Sequence, residues 1–177
     1  MTIKAVFFDL DDTLHDHMLP LAKSLQTAFP AMNQNISIQK VYNRFREVSD
    51  ELWPNYCQGK LTLHELRIQR VIGALKLFHP EVSIQEAEKF QKTYEKAFNH
   101  LELFPEVPDL LRYLKKEGYQ LGIITNGPVK HQYNTIEVLG LTSFISKEHI
   151  IISDAVGTAK PDPEIFLRAA DALGVPP

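Results

Sequence analysis

A nearly continuous apolar run over residues 3–8 opens the chain and is followed at once by a cluster of acids. The run is rich in β-branched and aromatic residues, which predicts a strand buried on both faces of a parallel sheet. From about residue 16 the pattern becomes helical. It predicts four helices, over residues 19–29, 38–56, 63–78 and 84–101, with breaks at Pro30, Gly59 and Pro80.

Strand character returns in the second half of the chain. The pattern there predicts a helix, a strand, a helix and a short strand, over residues 108–117, 119–124, 129–139 and 150–152. A last helix is expected to begin at Pro163 after the N-cap Asp162 and to stop at Gly174. Two earlier helix starts carry capping-box spacings, Thr62 with Glu65 and Ser83 with Glu86.

These elements predict an α/β core with a helical insertion after its first strand. The core domain is expected to comprise residues 1–15 and 104–177, and the helical domain residues 16–103. A net charge of −3 and a sequence pI near 6.2 give no basic surplus, so a nucleic-acid polymer is not expected as a partner. The apolar start is short and is interrupted by Lys4, which argues against a signal peptide or membrane span and favours a cytoplasmic protein.

The acids after the first strand are the first candidate site. If the chain stays extended, Asp9 and Asp11 point to the same side, and their mutual repulsion is relieved most simply by a cation. Hard carboxylate oxygens suit Mg²⁺. The alternative is a turn or helix start in which these side chains only bond backbone amides, and for Asp12 we favour that alternative.

Two further polar clusters follow later strands. Thr125 and Asn126 end an apolar strand, where they can either donate hydrogen bonds to an oxyanion or cap the next helix. Lys160 lies in a loop after the third strand, and a surface lysine is the ordinary alternative. Ligands of α/β proteins gather at the carboxyl ends of strands, so these clusters and the acids are expected to meet.

The ordered set resembles the haloacid dehalogenase (HAD) superfamily, most closely its phosphatases with a helical cap. The matching residues are the DxDxT of Asp9, Asp11 and Thr13, then Thr125 with Asn126, then Lys160. The resemblance implies a parallel Rossmann-like sheet with helices on both faces and an all-helical cap inserted after the first strand. It also implies hydrolysis of a small phosphorylated metabolite, such as a nucleotide or sugar phosphate.

The same resemblance implies a role for each residue. Asp9 attacks phosphorus to form an aspartyl phosphate, and Asp11 protonates the leaving alcohol and later activates water. Thr13, Thr125, Asn126 and Lys160 bind the substrate or balance its charge, and Mg²⁺ is held by the Asp9 carboxylate and the Asp11 carbonyl. The family's true dehalogenases usually lack the second acid, so Asp11 favours a phosphatase over a 2-haloacid dehalogenase.

The family's fourth motif, an acidic pair after the next strand, has no counterpart before the final residues "ALGVPP". We therefore expect a sheet truncated at its C-terminal side, an unpaired edge on the first strand that invites self-association, and weakened Mg²⁺ binding. A catalytically impaired binding or interaction protein stays open for that reason. A receiver-type signalling domain is a remote alternative.

Two other groups of residues are expected to be structural. Trp53, Tyr56, Arg67 and Arg70 lie in the helical insertion, where packing and solvated faces are the common roles of such residues. His15 and His17 follow the acids and are taken as linker residues.

Overall fold

The described residues form a sheet of three parallel strands. The computed structural model describes residues 3–30 and 36–176. The strands are β1 (Ala5–Phe8), β2 (Gln120–Thr125) and β3 (Ile150–Ile152), paired in the order β1-β2-β3. Phe8 lies beside Ile123, and Thr125 beside Ile152, so the polar segments that follow the three strands emerge at the same edge. The predicted α/β class with a parallel Rossmann-like sheet is confirmed.

Between β1 and β2, the part of the chain that the structure describes contains four α-helices before Val107. They are α1 (Met18–Ala28), α2 (Ile38–Cys57), α3 (Leu63–Leu75) and α4 (Ile84–Ala97). Both predicted capping boxes are present, because Thr62 and Ser83 each exchange hydrogen bonds with the glutamate three residues later. These bonds stabilise the ionised glutamates and lower the pKa of both Glu65 and Glu86.

The other α-helices of the described chain precede or follow the strands β2 and β3 in sequence. They are α5 (Val107–Lys116), α6 (Val129–Val138), α7 (Ser153–Val156) and α8 (Pro163–Ala172). Helix α8 starts as predicted, with the Asp162 side chain accepting from the Glu164 amide. The single turn α7 was not predicted, because four residues are too few to show a helical period.

Helix α8 packs on one face of the sheet through a cluster formed by Ile165 and Ala169 with Ile124 and Ile151 of the strands. The opposite face of β2 is covered as well, since Ile123 is fully buried and successive strand residues point to opposite faces. None of the described helices is long and apolar enough to cross a membrane.

The chain forms two compact units. One unit holds the residues up to His17 together with those from His100 onward, and the other spans Met18–Asn99. The sequence placed the boundaries after residues 15 and 103. Leu103 forms a backbone bridge with His15, which explains why the chain already belongs to the sheet-containing unit before residue 104.

The first strand differs from its prediction. It begins at Ala5 rather than at residue 3, and its four apolar residues are only partly buried. The prediction of burial on both faces was wrong for this strand, because β1 is an edge strand that pairs only with β2 in the described part of the chain. In the central strand β2, the five residues that follow the exposed Gln120 are all buried.

Candidate active site

The acidic segment after β1 is a turn and not a continuation of the strand. The Leu10 carbonyl accepts from the amides of Thr13 and Leu14, and Asp12 has a left-handed backbone with φ of 60°. Asp9 and Asp11 therefore do not share one side of an extended strand, contrary to the prediction. The turn role favoured for Asp12 agrees with its geometry, since its carboxylate also accepts from the His17 amide at 3.1 Å.

Asp9 lies at the strand end with its two carboxylate oxygens in different environments. Oδ1 accepts from the Leu10 amide at 2.8 Å and from the Lys160 ammonium at 2.5 Å. No partner of Oδ2 is recorded among the described residues, and 44% of the side chain is exposed. Two donors thus hold one oxygen, and the other is left able to meet a ligand.

Both the side-chain ammonium and the backbone of Lys160 are hydrogen-bonded. Its ammonium donates to the Ile124 carbonyl at 3.0 Å as well as to Asp9. Its backbone is paired with the Asn126 side chain, whose amide nitrogen donates to the Lys160 carbonyl and whose oxygen accepts from the Lys160 amide, both at 2.9 Å. The loop after β3 is thereby joined to the end of β2.

Those two hydrogen bonds define what Asn126 does in this structure. Both polar atoms of its amide are engaged with the backbone of Lys160. The helix-cap alternative does not hold for Asn126 or Thr125, because α6 begins after Pro128 with no side-chain cap. We infer that Asn126 positions Lys160, and its predicted part in substrate binding then runs through that lysine.

Thr125 is almost fully buried, at 1% exposure, and its hydroxyl accepts from the side-chain amide of Gln132 at 2.7 Å. Gln132 lies on α6, is equally buried, and also donates to the Asn126 carbonyl at 2.9 Å. Gln132 was not among the site residues predicted from the sequence. The signal available was a polar residue on the buried side of a short helix directly after the "TNG" segment.

Asp11 is 12% exposed and surrounded by nitrogen donors. His15 Nε2 lies 3.2 Å from Oδ1, His17 Nε2 lies 3.9 Å from Oδ2, and Gln132 Nε2 lies 3.5 Å from Oδ2. The interpretation of both histidines as linker residues was wrong, because the turn folds them back beside the acid, where both are buried. Thr13, in contrast, is exposed in the turn, where its amide donates to the Leu10 carbonyl.

The candidate residues of the helical unit are packed and paired there. The Arg70 guanidinium lies 4.2 Å from the centre of the Phe45 ring, and burial lowers its pKa to about 10. Arg67 forms an ion pair with Glu95 at 2.7 Å, and the Trp53 and Tyr56 rings lie 5.1 Å apart. These contacts agree with the structural role expected for the four residues.

The donor set at β1 fits a hard cation in part. Asp9 Oδ2 and a backbone carbonyl of the turn are oxygen ligands of the kind that Mg²⁺ takes. Within residues 3–30 and 36–176, no group of three or more His, Cys, Asp or Glu side chains is arranged to hold a metal. Mg²⁺ sites commonly use one or two carboxylates and complete their shell with water and substrate phosphate.

A strand-end aspartate, a second acid two residues later, a buried threonine and a tethered lysine follow the strands at one edge of the parallel sheet. The chain belongs to the haloacid dehalogenase-like hydrolases, since the model of that family matches residues 3–177. The resemblance drawn from the motifs is thus confirmed.

Individual relatives agree with this assignment. The chain is 31% identical to the glyceraldehyde 3-phosphate phosphatase of Methanopyrus kandleri, over 99% of this chain and 72% of the relative. A solved dehalogenase structure shares the fold at a TM-score of 0.77 and 21% identity, covering 99% of this chain and 74% of that one. The magnesium-bound structure of the putative HAD-hydrolase YfnB from Bacillus subtilis is 25% identical, with a TM-score of 0.64 and coverage of 97% and 72%.

Proposed function

We propose that this chain hydrolyses small phosphate monoesters through a covalent phosphoryl intermediate on Asp9, with Mg²⁺ bound beside it. The observation that carries the proposal is the asymmetry of the Asp9 carboxylate. Oδ1 is fixed by the Leu10 amide and Lys160, and Oδ2 is the oxygen left to react. A carboxylate nucleophile with one oxygen held in place and a cation next to it is suited to attack phosphorus.

The proposed reaction has two steps that use the two acids differently. Asp9 Oδ2 forms a bond to phosphorus as the bond from phosphorus to the alcohol oxygen breaks, and Asp11 gives its proton to that oxygen. Asp11, now a carboxylate, takes a proton from the water that attacks the phosphorylated Asp9. Inorganic phosphate leaves, and both aspartates return to their starting states.

The surrounding residues support these roles. His15 and Gln132 hold the Asp11 carboxylate by contacts of 3.2 and 3.5 Å, which limits its rotation. Lys160 offsets the charge that a phosphate dianion brings to Asp9. Thr125 supplies a hydroxyl for a phosphoryl oxygen.

Mg²⁺ is part of the proposal on the chemistry of the donors. The Asp9 carboxylate and the Asp11 carbonyl would hold it, and when bound it neutralises charge on the phosphoryl oxygens. The structure of the Bacillus subtilis relative is bound to magnesium, which supports this choice.

The proposed substrate is a small organic phosphate. The relative from Methanopyrus kandleri is named for glyceraldehyde 3-phosphate. We therefore add three-carbon phosphates to the candidate substrates expected from the sequence, which are nucleotide and sugar phosphates. Dehalogenation of a 2-haloacid is the competing chemistry on the same fold. Asp11 favours the phosphatase, because displacement of halide from carbon requires no proton donor for the leaving group.

The test is phosphate release from a panel of these compounds and from p-nitrophenyl phosphate, with Mg²⁺ titrated from zero. We expect Mg²⁺-dependent release by the wild-type chain and a loss of several orders of magnitude in Asp9→Asn, which replaces the nucleophile by a nearly isosteric amide. Asp171→Asn, at an exposed position of α8, is the matched control and should turn over normally. Normal turnover by Asp9→Asn, or release of halide from 2-haloacids in place of phosphate, would refute the proposal.

A further inference from the structure

We propose that Gln132 is a positioning residue that directs the hydroxyl proton of Thr125 toward a phosphoryl oxygen of the substrate. This inference rests on the proposed function and adds to it a residue outside the recognised motifs. It concerns the direction of one buried hydrogen bond.

The direction of that bond follows from the neighbours of the Gln132 amide. Its Nε2 atom lies 2.9 Å from the Asn126 carbonyl, which can only accept a hydrogen bond. The amide must therefore face Asn126 with its NH₂ group, and this fixes which of its two ends is the nitrogen. The same NH₂ group lies 2.7 Å from Thr125 Oγ1, so Gln132 donates and the threonine oxygen accepts.

Because the Thr125 hydroxyl accepts this hydrogen bond, its own proton is free to be donated to another acceptor. Thr125 is 1% exposed, and no acceptor for that proton is recorded in the described part of the chain. A buried hydroxyl whose proton has no partner is unfavourable, and an anionic oxygen is a strong acceptor for it. Gln132 thus keeps Thr125 in the donor state that a phosphoryl oxygen requires.

In this orientation the oxygen end of the Gln132 side chain is left in an unfavourable environment. Its Oε1 atom is buried without a hydrogen-bond partner among the described residues. The nitrogen end, in contrast, faces three acceptors: the Thr125 hydroxyl, the Asn126 carbonyl and the Asp11 carboxylate. The side chain is therefore held by what its nitrogen donates to.

Gly127 makes room for the glutamine. A Cβ atom at this position would lie 3.1 Å from Gln132 Cδ, a distance tighter than ordinary contact. Its φ of 150° is also one that residues with side chains rarely adopt. The glycine of the "TNG" segment is thereby linked to the position of Gln132 five residues later on α6.

The test compares two substitutions with opposite chemistry. Gln132→Glu replaces the donor by an acceptor, so the Thr125 hydroxyl would turn its proton toward the carboxylate and away from the substrate. Gln132→Met removes the donor without adding charge and leaves the hydroxyl free to rotate. We expect kcat/KM for p-nitrophenyl phosphate to fall about a hundredfold in the first and about tenfold in the second. The dissociation constant of inorganic phosphate, measured by calorimetry, should rise in the same order.

Thr135→Val is the matched control. Thr135 is buried on the same helix, and its hydroxyl donates to the His131 carbonyl of its own helix at 3.1 Å. Its loss should lower the melting temperature without changing kcat/KM or phosphate binding. Circular dichroism of each variant separates misfolding from a change at the site, and Gln132→Met serves if the glutamate variant does not fold.

A double-substitution cycle distinguishes positioning from a general structural effect. In a Thr125→Val background the hydroxyl is gone, so Gln132→Met should lower kcat/KM by less than it does in the wild-type background, because only its contact with Asp11 is then left to lose. Equal losses in both backgrounds, or unchanged phosphate affinity in the Gln132 variants, would overturn the inference and leave the proposed function standing. A wild-type chain that neither binds nor releases phosphate would overturn both.

Discussion

Replacing Lys160 by methionine should separate catalysis from stability in this protein. The ammonium group has two recorded partners, Asp9 Oδ1 at 2.5 Å and the Ile124 carbonyl at 3.0 Å. Methionine keeps the unbranched stem and removes the charge. The backbone bonds between Lys160 and Asn126 do not depend on the substituted side chain, so the loop should keep its place.

The expected cost in stability is small. The ion pair is partly exposed, at 23% for the lysine and 44% for the aspartate, and pairs of this kind contribute about 0 to 1 kcal/mol. Loss of the hydrogen bond to the Ile124 carbonyl adds about 1 kcal/mol. The free energy of unfolding should therefore fall by about 1 to 2 kcal/mol.

The expected cost in turnover is much larger. A phosphate dianion next to the Asp9 carboxylate concentrates negative charge, and Lys160 is the cation that contacts this aspartate. Removal of one such preorganised group typically lowers kcat by about 10² to 10³. The same substitution should thus be mild in a urea titration and severe in a phosphate-release assay.

Lys115→Met is the matched control for this prediction. Lys115 also donates its ammonium to a backbone carbonyl, that of Phe144 at 3.0 Å, but it lies on α5. It should lose a similar or smaller amount of stability and keep its kcat. If Lys160→Met retained kcat within about threefold of wild type, charge neutralisation by this lysine would be refuted.

Three other predictions address the turn and the sheet edge. Asp11→Asn should lower turnover by about 10² to 10⁴ with alkyl phosphates and less with aryl phosphates, whose leaving groups need little protonation; equal losses with both would exclude the acid role. Asp12→Ala should destabilise the fold by about 1 to 2 kcal/mol in urea, because alanine is strained at a φ of 60°, whereas Asp12→Gly should lose less; the reverse order would exclude backbone strain as the cause. We also propose that the open edge of β1 pairs with a second copy of the chain, so light scattering should give a dimer for wild type and a monomer for Ala5→Lys, and a monomeric wild type would disprove the pairing.

The sequence was most informative where local chemistry decides the structure. The helix starts at Leu63 and Ile84 follow from capping pairs that lie within four residues, and both were predicted. The strand β3 and the start of α8 were equally accessible, because an apolar run and an Asp-Pro pair are local signals.

The contacts of the candidate site were less accessible from the sequence. Thr125, Asn126 and Lys160 were predicted from the sequence, but Gln132 and the hydrogen bonds that join these residues were not, since those bonds link separate segments of the chain. His15 was misjudged because its contact with Asp11 depends on the turn after β1, which the extended pattern of the first residues gave no sign of. Side-chain partners brought together by tertiary folding leave no periodic signal in the sequence.

The return of the chain beside the turn after β1 has a consequence for engineering. The Phe104 amide bonds the Leu14 carbonyl at 3.0 Å, and Leu103 pairs with His15, so the core segments before and after the helical insertion already touch. A linker in place of Met18–Asn99 would join two segments that already contact each other at Leu14 and Phe104, and closing a short loop costs less entropy than closing a long one. Every candidate residue from Asp9 to Lys160 would be retained in such a miniature. Deletion or exchange of the insertion would therefore change none of the residues proposed to carry the reaction.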